Sequence, residues 1–406
     1  MYLNTSYEMV NKKRFLLQKG LKLFDEFLTG VLSASVFIYQ EEDKDMKKII
    51  VVLLMTLMVF GLVGCSSNKP AETETETPES TVLNVMNWGE YIGEDVISNF
   101  EEKFGVKVNY TLYDSNEMLY TKVSTDKSYD VVVPADYMLE RMIREDMLQP
   151  LDFSIITNTD YLNDDAMNIL YQLDKEGKYS MPYFVATAGI IYDRTVVDPA
   201  DVEAEGWAVM KNPKYAGQVF VYDSERDSFM MALKNLGYSA NTEDPDEIQA
   251  AYDWLVELND TMAPAYGTDE VFDTMIYGNK ALGFAYSGDA AYMMSENENL
   301  AYYIPNEGSR LAIDGMVILK DSKNSKLANE FINFMLSYES SLDNSLTVGY
   351  TSCDNRVREE LTAEGGDYEG SEAYLFDLKN PNSEVFFDNE VLRETLSELW
   401  VKIKVK

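Results

Sequence analysis

The sequence contains no histidine among its 406 residues and only two cysteines, Cys65 and Cys353. Without histidine, Ser-His-Asp and Cys-His catalytic arrangements and most zinc sites are excluded. Two cysteines allow at most one disulfide and no CxxC metal or redox motif. We therefore expect no metal and no cofactor. Cys353 is expected to be a small packing residue, because no histidine is present to activate its thiol.

Basic residues are few: 34 Lys and Arg stand against 70 Asp and Glu, which gives a formal net charge of -36. Such a surface repels nucleic acid phosphates and attracts cations, so no nucleic acid partner is expected. Acidity also keeps a protein soluble, so that net charge alone says little about a ligand. The composition, 46% hydrophobic and 12% aromatic, is that of a folded globular protein, and the length favours two lobes over one core.

A secretory signal is indicated by residues 46–65, MKKIIVVLLMTLMVFGLVGC, in which two lysines precede an apolar run and a cysteine. The run from Ile49 to Val63 is shorter than the roughly 20 residues that span a bilayer comfortably. A cleaved signal is therefore favoured over the alternative, an uncleaved membrane anchor. The stretch resembles a bacterial lipoprotein signal, which implies cleavage before Cys65 and a diacylglycerol thioether on that cysteine.

The segments before, within and after this signal are predicted to be processed differently. Residues 1–45 form an upstream extension that we do not expect in the natural product, and residues 46–64 are the signal peptide. Residues 65–81 contain the lipidated Cys65 and a tether rich in Ser, Thr, Glu and Pro, a composition that cannot bury enough apolar surface to fold. We expect an extracytoplasmic protein anchored to the cell membrane by the lipid.

From Val82 onwards, strand patterns such as VLNVMNW and YDVVVPA alternate with helical patterns such as DVISNFEEKFG. This alternation predicts an α/β fold with a largely parallel sheet covered on both faces. Ligands of such sheets bind beyond the carboxyl ends of the strands. Because NWGEY follows the first strand and PADY the third, we expect Trp88, Glu90, Tyr91 and Tyr137 to face one crevice.

Several segments together resemble the extracytoplasmic spermidine/putrescine-binding proteins of bacterial polyamine ABC transporters. They are NWGEY, YDVVVPADYM, MPYFVATAGI, NLGYSANTEDPDEI, YSGDA, LAIDGMVI, FINFML and VGYTS. The resemblance implies a periplasmic-binding-protein-like fold of type II: two lobes, each a mostly parallel sheet flanked by helices, hinged around a ligand cleft. It also implies ABC permease subunits as partners and a monomeric protein. We expect residues 82–187 and 288–332 in the first lobe, and 188–287 and 333–406 in the second.

The resemblance further implies which residues line the cleft. They are Trp88, Glu90, Tyr91, Tyr137, Ser224, Asp227, Tyr286, Asp289, Asp314 and Asp343. The chain departs from the family pattern at Gly89, where some relatives carry a hydroxyl residue, at Ser224, where aspartate is common, and at Ala312, where relatives carry an aromatic residue. These departures bear on the affinity and on the preferred chain length of the ligand.

The chemistry of a polyamine agrees with these residue types. Each buried ammonium group needs a carboxylate or another acceptor, because its burial is otherwise costly. The methylene groups need apolar walls, and aromatic rings supply such walls and attract cations by about 0.5 to 2 kcal/mol per contact. Trp88 beside Glu90, and Tyr286 beside Asp289, form pairs suited to a cationic alkyl chain.

Three alternatives remain open at the level of sequence. The same fold could bind a sugar, another organic cation or ferric iron, and 28 tyrosines make iron worth testing. Abundant carboxylates could serve a glycosidase, which needs two of them about 5 to 10 Å apart. An adhesin or structural surface protein would have no closable cleft. The leading prediction is a binding protein that delivers a polyamine to a permease, and not an enzyme.

Overall fold

Ten strands and thirteen α-helices are present in the residues that the computed structural model describes, which are 81–89 and 91–405. The strands are β1 (Val82–Trp88), β2 (Lys107–Tyr113), β3 (Val131–Val132), β4 (Ser180–Asp193), β5 (Val219–Tyr222), β6 (Ala265–Gly267), β7 (Leu282–Tyr286), β8 (Leu300–Tyr303), β9 (Leu311–Ile318) and β10 (Thr351–Ser352). The helices are α1 (Val96–Phe104), α2 (Asn116–Thr125), α3 (Asp136–Arg144), α4 (Asp164–Leu173), α5 (Pro199–Glu205), α6 (Glu225–Asn235), α7 (Pro245–Met262), α8 (Glu270–Ile276), α9 (Ser287–Glu296), α10 (Ser325–Met335), α11 (Tyr338–Val348), α12 (Asn355–Thr362) and α13 (Glu390–Lys404).

The long strand β4 organises the sheet. It reads SMPYFVATAGIIYD, and all of its 14 residues except Asp193 are buried, as a strand covered on both faces requires. The strand order is β2-β1-β3-β9-β4-β7-β5-β6, and β8 and β10 also pair with β4. The strands on the two sides of β4 are therefore connected to one another through the hydrogen bonds of this one strand.

The sheet is mixed. At its two outer parts the strands are parallel: β1 with β2 and β3, and β5 with β6 and β7. At the centre, β9 runs antiparallel to β3 and β4, and β7 runs antiparallel to β4. We call β2, β1, β3, β9, β10 and residues 180–187 of β4 the first sheet region, and residues 188–193 of β4 with β7, β8, β5 and β6 the second sheet region. The predicted α/β class is confirmed, while the antiparallel centre was not foreseen.

Helices bury apolar side chains against both sheet regions. In the first region, Phe331 of α10 packs against Phe100 of α1, with the ring centroids 5.0 Å apart. In the second region, Trp207 and Phe284 stack at 5.8 Å within a core that also contains Trp400 of α13. Burying such aromatic side chains contributes about 1.5 to 3 kcal/mol each. These two cores fix the strand ends on which the candidate site residues lie.

The pairing of β4, β8 and β10 shows which predicted segments contribute strands to each sheet region. β4 passes from one region to the other between Thr187 and Ala188. β8, however, pairs with the second half of β4 although it lies in the range 288–332, and β10 pairs with the first half although it lies in 333–406. Sequence periodicity identifies strands, but it does not reveal which half of β4 a later strand joins. The division into hinged lobes stays a prediction.

Two further expectations concern the cysteines and the membrane. Cys353 is buried in the core of the first region, and burial raises the pKa of its thiol to about 12, in keeping with a packing role. The predicted signal peptide, Cys65 and the tether lie outside the described residues. Within the described part of the chain, the helices are too short or too polar to cross a bilayer.

Candidate functional site

Asp227 and Tyr286 meet at the carboxyl ends of two adjacent parallel strands, β5 and β7. Ser224 caps the helix α6 that follows β5, and its Oγ accepts a hydrogen bond from the amide of Asp227 at 3.3 Å. The hydroxyl of Tyr286, the last residue of β7, donates to Oδ2 of Asp227 at 2.8 Å, and the Ser224 hydroxyl donates to the same oxygen at 2.7 Å. This edge of the second sheet region therefore presents a buried carboxylate with two hydroxyl partners.

Arg310, which directly precedes β9, connects this edge to the first sheet region. Its Nη1 donates to Oδ1 of Asp227 at 3.3 Å and to the hydroxyl of Tyr286 at 2.8 Å. Its Nη2 donates to both carboxylate oxygens of Asp136, at 2.9 and 3.0 Å. Asp136 is the first residue of α3, which follows β3. The guanidinium thus bridges carboxylates that belong to different regions of the sheet.

Another carboxylate, Asp314, lies in β9 of the first sheet region. The hydroxyl of Tyr91 donates to its Oδ2 at 2.6 Å. The ring of Tyr91 packs edge-on against the rings of Tyr183, Phe184 and Tyr350, with centroids 5.2 to 5.5 Å apart. Aromatic packing therefore fixes the hydroxyl that positions the Asp314 carboxylate.

Asp289, in the first turn of α9, is a further carboxylate of the site, and Tyr350 connects it with Asp314. The hydroxyl of Tyr350 donates to Oδ1 of Asp289 at 3.0 Å. The ring of Tyr350 lies 5.2 Å from that of Tyr91, whose hydroxyl is bonded to Asp314. The two carboxylates are therefore joined through two tyrosines in contact.

The protonation of these groups is shifted by their surroundings. Burial raises the pKa of Asp289 to about 7 and that of Asp314 to about 7, although the hydrogen bonds from Tyr350 and Tyr91 lower both. Burial also raises the pKa of Tyr91 and of Tyr350 well above the usual value, so their hydroxyls stay protonated and donate. The site thus holds two carboxyl groups that ionise near neutral pH and that a cation would favour in the charged form.

Comparison with known families identifies the type of protein to which this geometry belongs. The sequence profile described as bacterial extracellular solute-binding protein matches residues 95–365. The chain belongs to this family.

The names of individual relatives of this solute-binding protein state which molecules those relatives bind. The spermidine/putrescine-binding periplasmic protein of Escherichia coli (strain K12) is 34% identical over 288 residues, which are 70% of this chain and 81% of the relative. The putrescine/cadaverine-binding protein of Pseudomonas aeruginosa is 30% identical over 80% of this chain and 94% of its own. The crystal structure of the spermidine/putrescine ABC transporter substrate-binding protein PotD from Streptococcus pneumoniae is 35% identical, with a TM-score of 0.71 over 80% of this chain and 99% of that chain. The predicted fold and family resemblance are thereby confirmed.

The remaining predicted site residues of this solute-binding protein make local contacts. The indole of Trp88 packs on Tyr113 with centroids 4.5 Å apart and donates to the carbonyl of Val133 at 3.0 Å. The hydroxyl of Tyr137 donates to Glu117 at 3.0 Å. Asp343 lies in α11 and accepts from the amide of Asp95 at 3.3 Å, beside the amino terminus of α1. Glu90 is outside the described residues.

The roles of the predicted residues in ligand binding stay predictions. The structure joins Asp314 to Asp289 through Tyr91 and Tyr350, and it joins Tyr286 to Asp227 in a separate group. It gives Ser224 a capping role and leaves Asp343 bonded at a helix terminus.

Sequence reasoning missed three residues of these two groups, Asp136, Arg310 and Tyr350. Tyr350 stands in the quoted segment VGYTS, so its position was available, but nothing local indicates that its hydroxyl reaches Asp289. Arg310 stands four residues before Asp314, in a stretch otherwise rich in apolar residues. A lone arginine at the start of a buried strand needs a carboxylate partner. Arg310 itself was therefore a signal in the sequence from which a buried ion pair could have been predicted.

Proposed function

We propose that this protein captures a polyamine of the putrescine or spermidine class outside the cytoplasm and delivers it to the permease of an ABC transporter. The observation that carries the proposal is the pair Asp289 and Asp314, each partly exposed and each bonded to the hydroxyl of a tyrosine. Among the described residues, neither carboxylate forms an ion pair with a lysine or arginine, whereas Asp136 and Asp227 both do. A ligand ammonium group would supply the positive charge that Asp289 and Asp314 lack.

The aromatic residues around the carboxylates suit the hydrocarbon part of such a ligand. Tyr91 and Tyr350 lie between Asp289 and Asp314, and Tyr222 packs edge-on against Tyr286 at 5.4 Å. Aromatic rings exclude water from methylene groups and attract neighbouring cations. A flexible chain with an ammonium group at each end is therefore a better match than a compact ligand, which would need its acceptors to converge on one point.

The named relatives support the same ligand class. The proteins of Escherichia coli and Streptococcus pneumoniae bear spermidine and putrescine in their names, and that of Pseudomonas aeruginosa bears putrescine and cadaverine. All are described as binding proteins. For this chain the alternatives are a sugar, another organic cation or ferric iron. Among residues 81–89 and 91–405, no three cysteine or acidic side chains are grouped so as to hold a metal ion.

The deciding experiment is a calorimetric titration of the fragment from Ser66 to Lys406 with putrescine and then with spermidine, at low and moderate salt. We expect one-to-one binding that survives moderate salt, since contacts inside a site are screened less than surface charge. Weak heats at many sites, erased by salt, would contradict the proposal. Titration with glucose and with ferric citrate would then test the alternative ligands.

We also infer that the mature protein is a monomer held on the membrane by a lipid on Cys65. The lipoprotein-like signal at residues 46–65 supports the anchor, and the periplasmic relatives support a position outside the cytoplasm. Replacing Cys65 by serine is expected to move the protein from the membrane fraction to the soluble fraction and to abolish labelling with a fatty acid. Persistent membrane attachment of the variant would mean an uncleaved anchor. Light scattering of the fragment from Ser66 tests the monomer.

Gly288 gives a prediction about the aromatic wall. A Cβ atom at this position would lie 1.8 Å from Cδ2 of Tyr350, so Gly288→Ala must displace that ring and break its bond to Asp289. We expect polyamine affinity to fall at least about tenfold, or 1.4 kcal/mol. Ser295→Ala, on the exposed side of the same helix α9, is the matched control. Equal affinities for both variants would remove Tyr350 from the site.

A further inference from the structure

Arg310 is surrounded by groups like those that a ligand ammonium group would need. It is only 7% exposed, and its two carboxylate partners are buried as well, Asp136 at 0% and Asp227 at 3%. The guanidinium carbon lies 5.6 Å from the ring centroid of Tyr286 and 4.4 Å from that of Phe386. Carboxylates together with aromatic faces form the environment that binds an organic cation. Here the chain itself supplies the cation.

Arg310 remains charged in this environment. Burial alone would lower its pKa, but the negative charges of Asp136 and Asp227 outweigh that effect and raise the pKa well above its usual value. An arginine cannot be deprotonated in a protein under ordinary conditions. The Arg310 cation therefore offsets negative charge at this end of the sheet.

The acceptor capacity of Asp227 is largely used within the protein. Its Oδ1 accepts from Arg310, and its Oδ2 accepts from Tyr286 and from Ser224. Asp289 and Asp314 differ, because their hydrogen-bond partners are neutral tyrosines. An additional ligand ammonium near Asp227 would face the Arg310 cation at close range, and like charges in such a site oppose binding.

We propose that Arg310 is a specificity-determining residue that occupies the Asp136 and Asp227 end of the site, so that the protein selects a diamine over a triamine. The inference rests on the proposed function, and it names the ligand class within it. The two ammonium groups of a diamine pair with Asp289 and Asp314. The third ammonium group of a triamine has no comparable carboxylate at the end that Arg310 fills.

The test compares two ligands in four proteins. Putrescine and spermidine are titrated into the wild type, Arg310→Met, the double variant Asp136→Asn with Arg310→Met, and Arg144→Met. Arg310→Met removes the charge at similar length, but it leaves Asp136 buried without a partner, which is strongly destabilising. The double variant also removes the charge of Asp136, and Asp227 keeps the hydroxyls of Tyr286 and Ser224 as hydrogen-bond partners, so it can be measured even where the single variant does not fold. Arg144 is 54% exposed and its partner Asp388 keeps a second ion pair with Arg393, so the replacement of Arg144 is the control for net charge.

We expect the wild type and Arg144→Met to bind putrescine at least about tenfold more tightly than spermidine. In the double variant we expect the ratio of the two affinities to move at least about tenfold towards spermidine. A merely structural role of Arg310 would weaken both ligands equally and leave the ratio unchanged. An unchanged ratio, or a wild type that prefers spermidine, overturns the role of Arg310 while polyamine capture stands. A wild type that binds neither amine overturns both proposals.

Discussion

Replacing Asp289 or Asp314 by asparagine is expected to weaken putrescine binding by at least about thirtyfold, or about 2 kcal/mol. Removing the charge from one partner of a buried, hydrogen-bonded ion pair typically costs 2 to 5 kcal/mol. The amide oxygen of asparagine can still accept from Tyr350 or Tyr91, so the local structure is retained and the loss reports on the ammonium group. Calorimetric titration of each variant at pH 8, where both carboxyl groups of the wild type are ionised, measures the effect.

The matched control for these variants is Asp253→Asn, on the exposed side of α7. It removes the same unit of charge far along the chain from the site residues. If binding depended only on the overall acidity of the protein, all three variants would lose the same small amount of affinity. An unchanged affinity in Asp289→Asn would show that this residue does not contact the ligand.

Polyamine affinity is expected to fall roughly a hundredfold between pH 8 and pH 6. Both Asp289 and Asp314 have a pKa of about 7 in the ligand-free protein, chiefly because of burial. The ligand binds the ionised form of each carboxyl group. Below pH 7, the protonation of each group therefore lowers the affinity for the polyamine by a factor of about ten per pH unit. Aliphatic amines stay protonated over this range, because their pKa is about 10. Titrations at half-unit intervals measure the slope, and a flat profile would contradict the assignment of these two carboxyl groups.

The same groups have the opposite effect on the stability of the ligand-free fold. An aspartate in the unfolded chain has a pKa of about 3.9, lower than in the folded protein. The folded state therefore binds more protons between about pH 4 and 7, and the contribution of these groups to stability decreases as the pH rises through that window. Thermal denaturation at pH 5.5 and 7.5 is expected to show a smaller pH dependence of this sign in the double variant Asp289→Asn with Asp314→Asn than in the wild type.

The sequence predicted the parts of the site that depend on local patterns. Alternating apolar strands and amphipathic helices indicated an α/β fold, and they placed Trp88 where the first strand ends, as the structure confirms for β1. Tyr286, which the resemblance implied as a cleft residue, likewise ends β7. The side chain of Asp289 follows the strand β7 by three residues, so its position at the same edge was also predictable. These features depend on contacts between neighbours in the chain.

The partners of the charged groups could not be read from the sequence. Arg310 meets Asp136 across 174 residues, and Tyr91 meets Asp314 across 223. Several other tyrosines and carboxylates stand near each of these positions in the sequence, and the local pattern does not indicate which of them forms the contact. The prediction that Asp227 receives a ligand ammonium therefore did not foresee the arginine that already neutralises it.

By itself, the sequence determined the fold class, the family resemblance and the residue types gathered at the strand ends, because each follows from periodicity and composition along the chain. Only the tertiary structure decided that β4 carries both regions of the sheet, that Tyr350 joins Asp289 to Tyr91, and that Arg310 bridges Asp136 and Asp227. The physical reason is that these outcomes depend on which distant side chains are buried together, and the free energy of burying a charge is set by the whole surrounding core rather than by its neighbours in sequence.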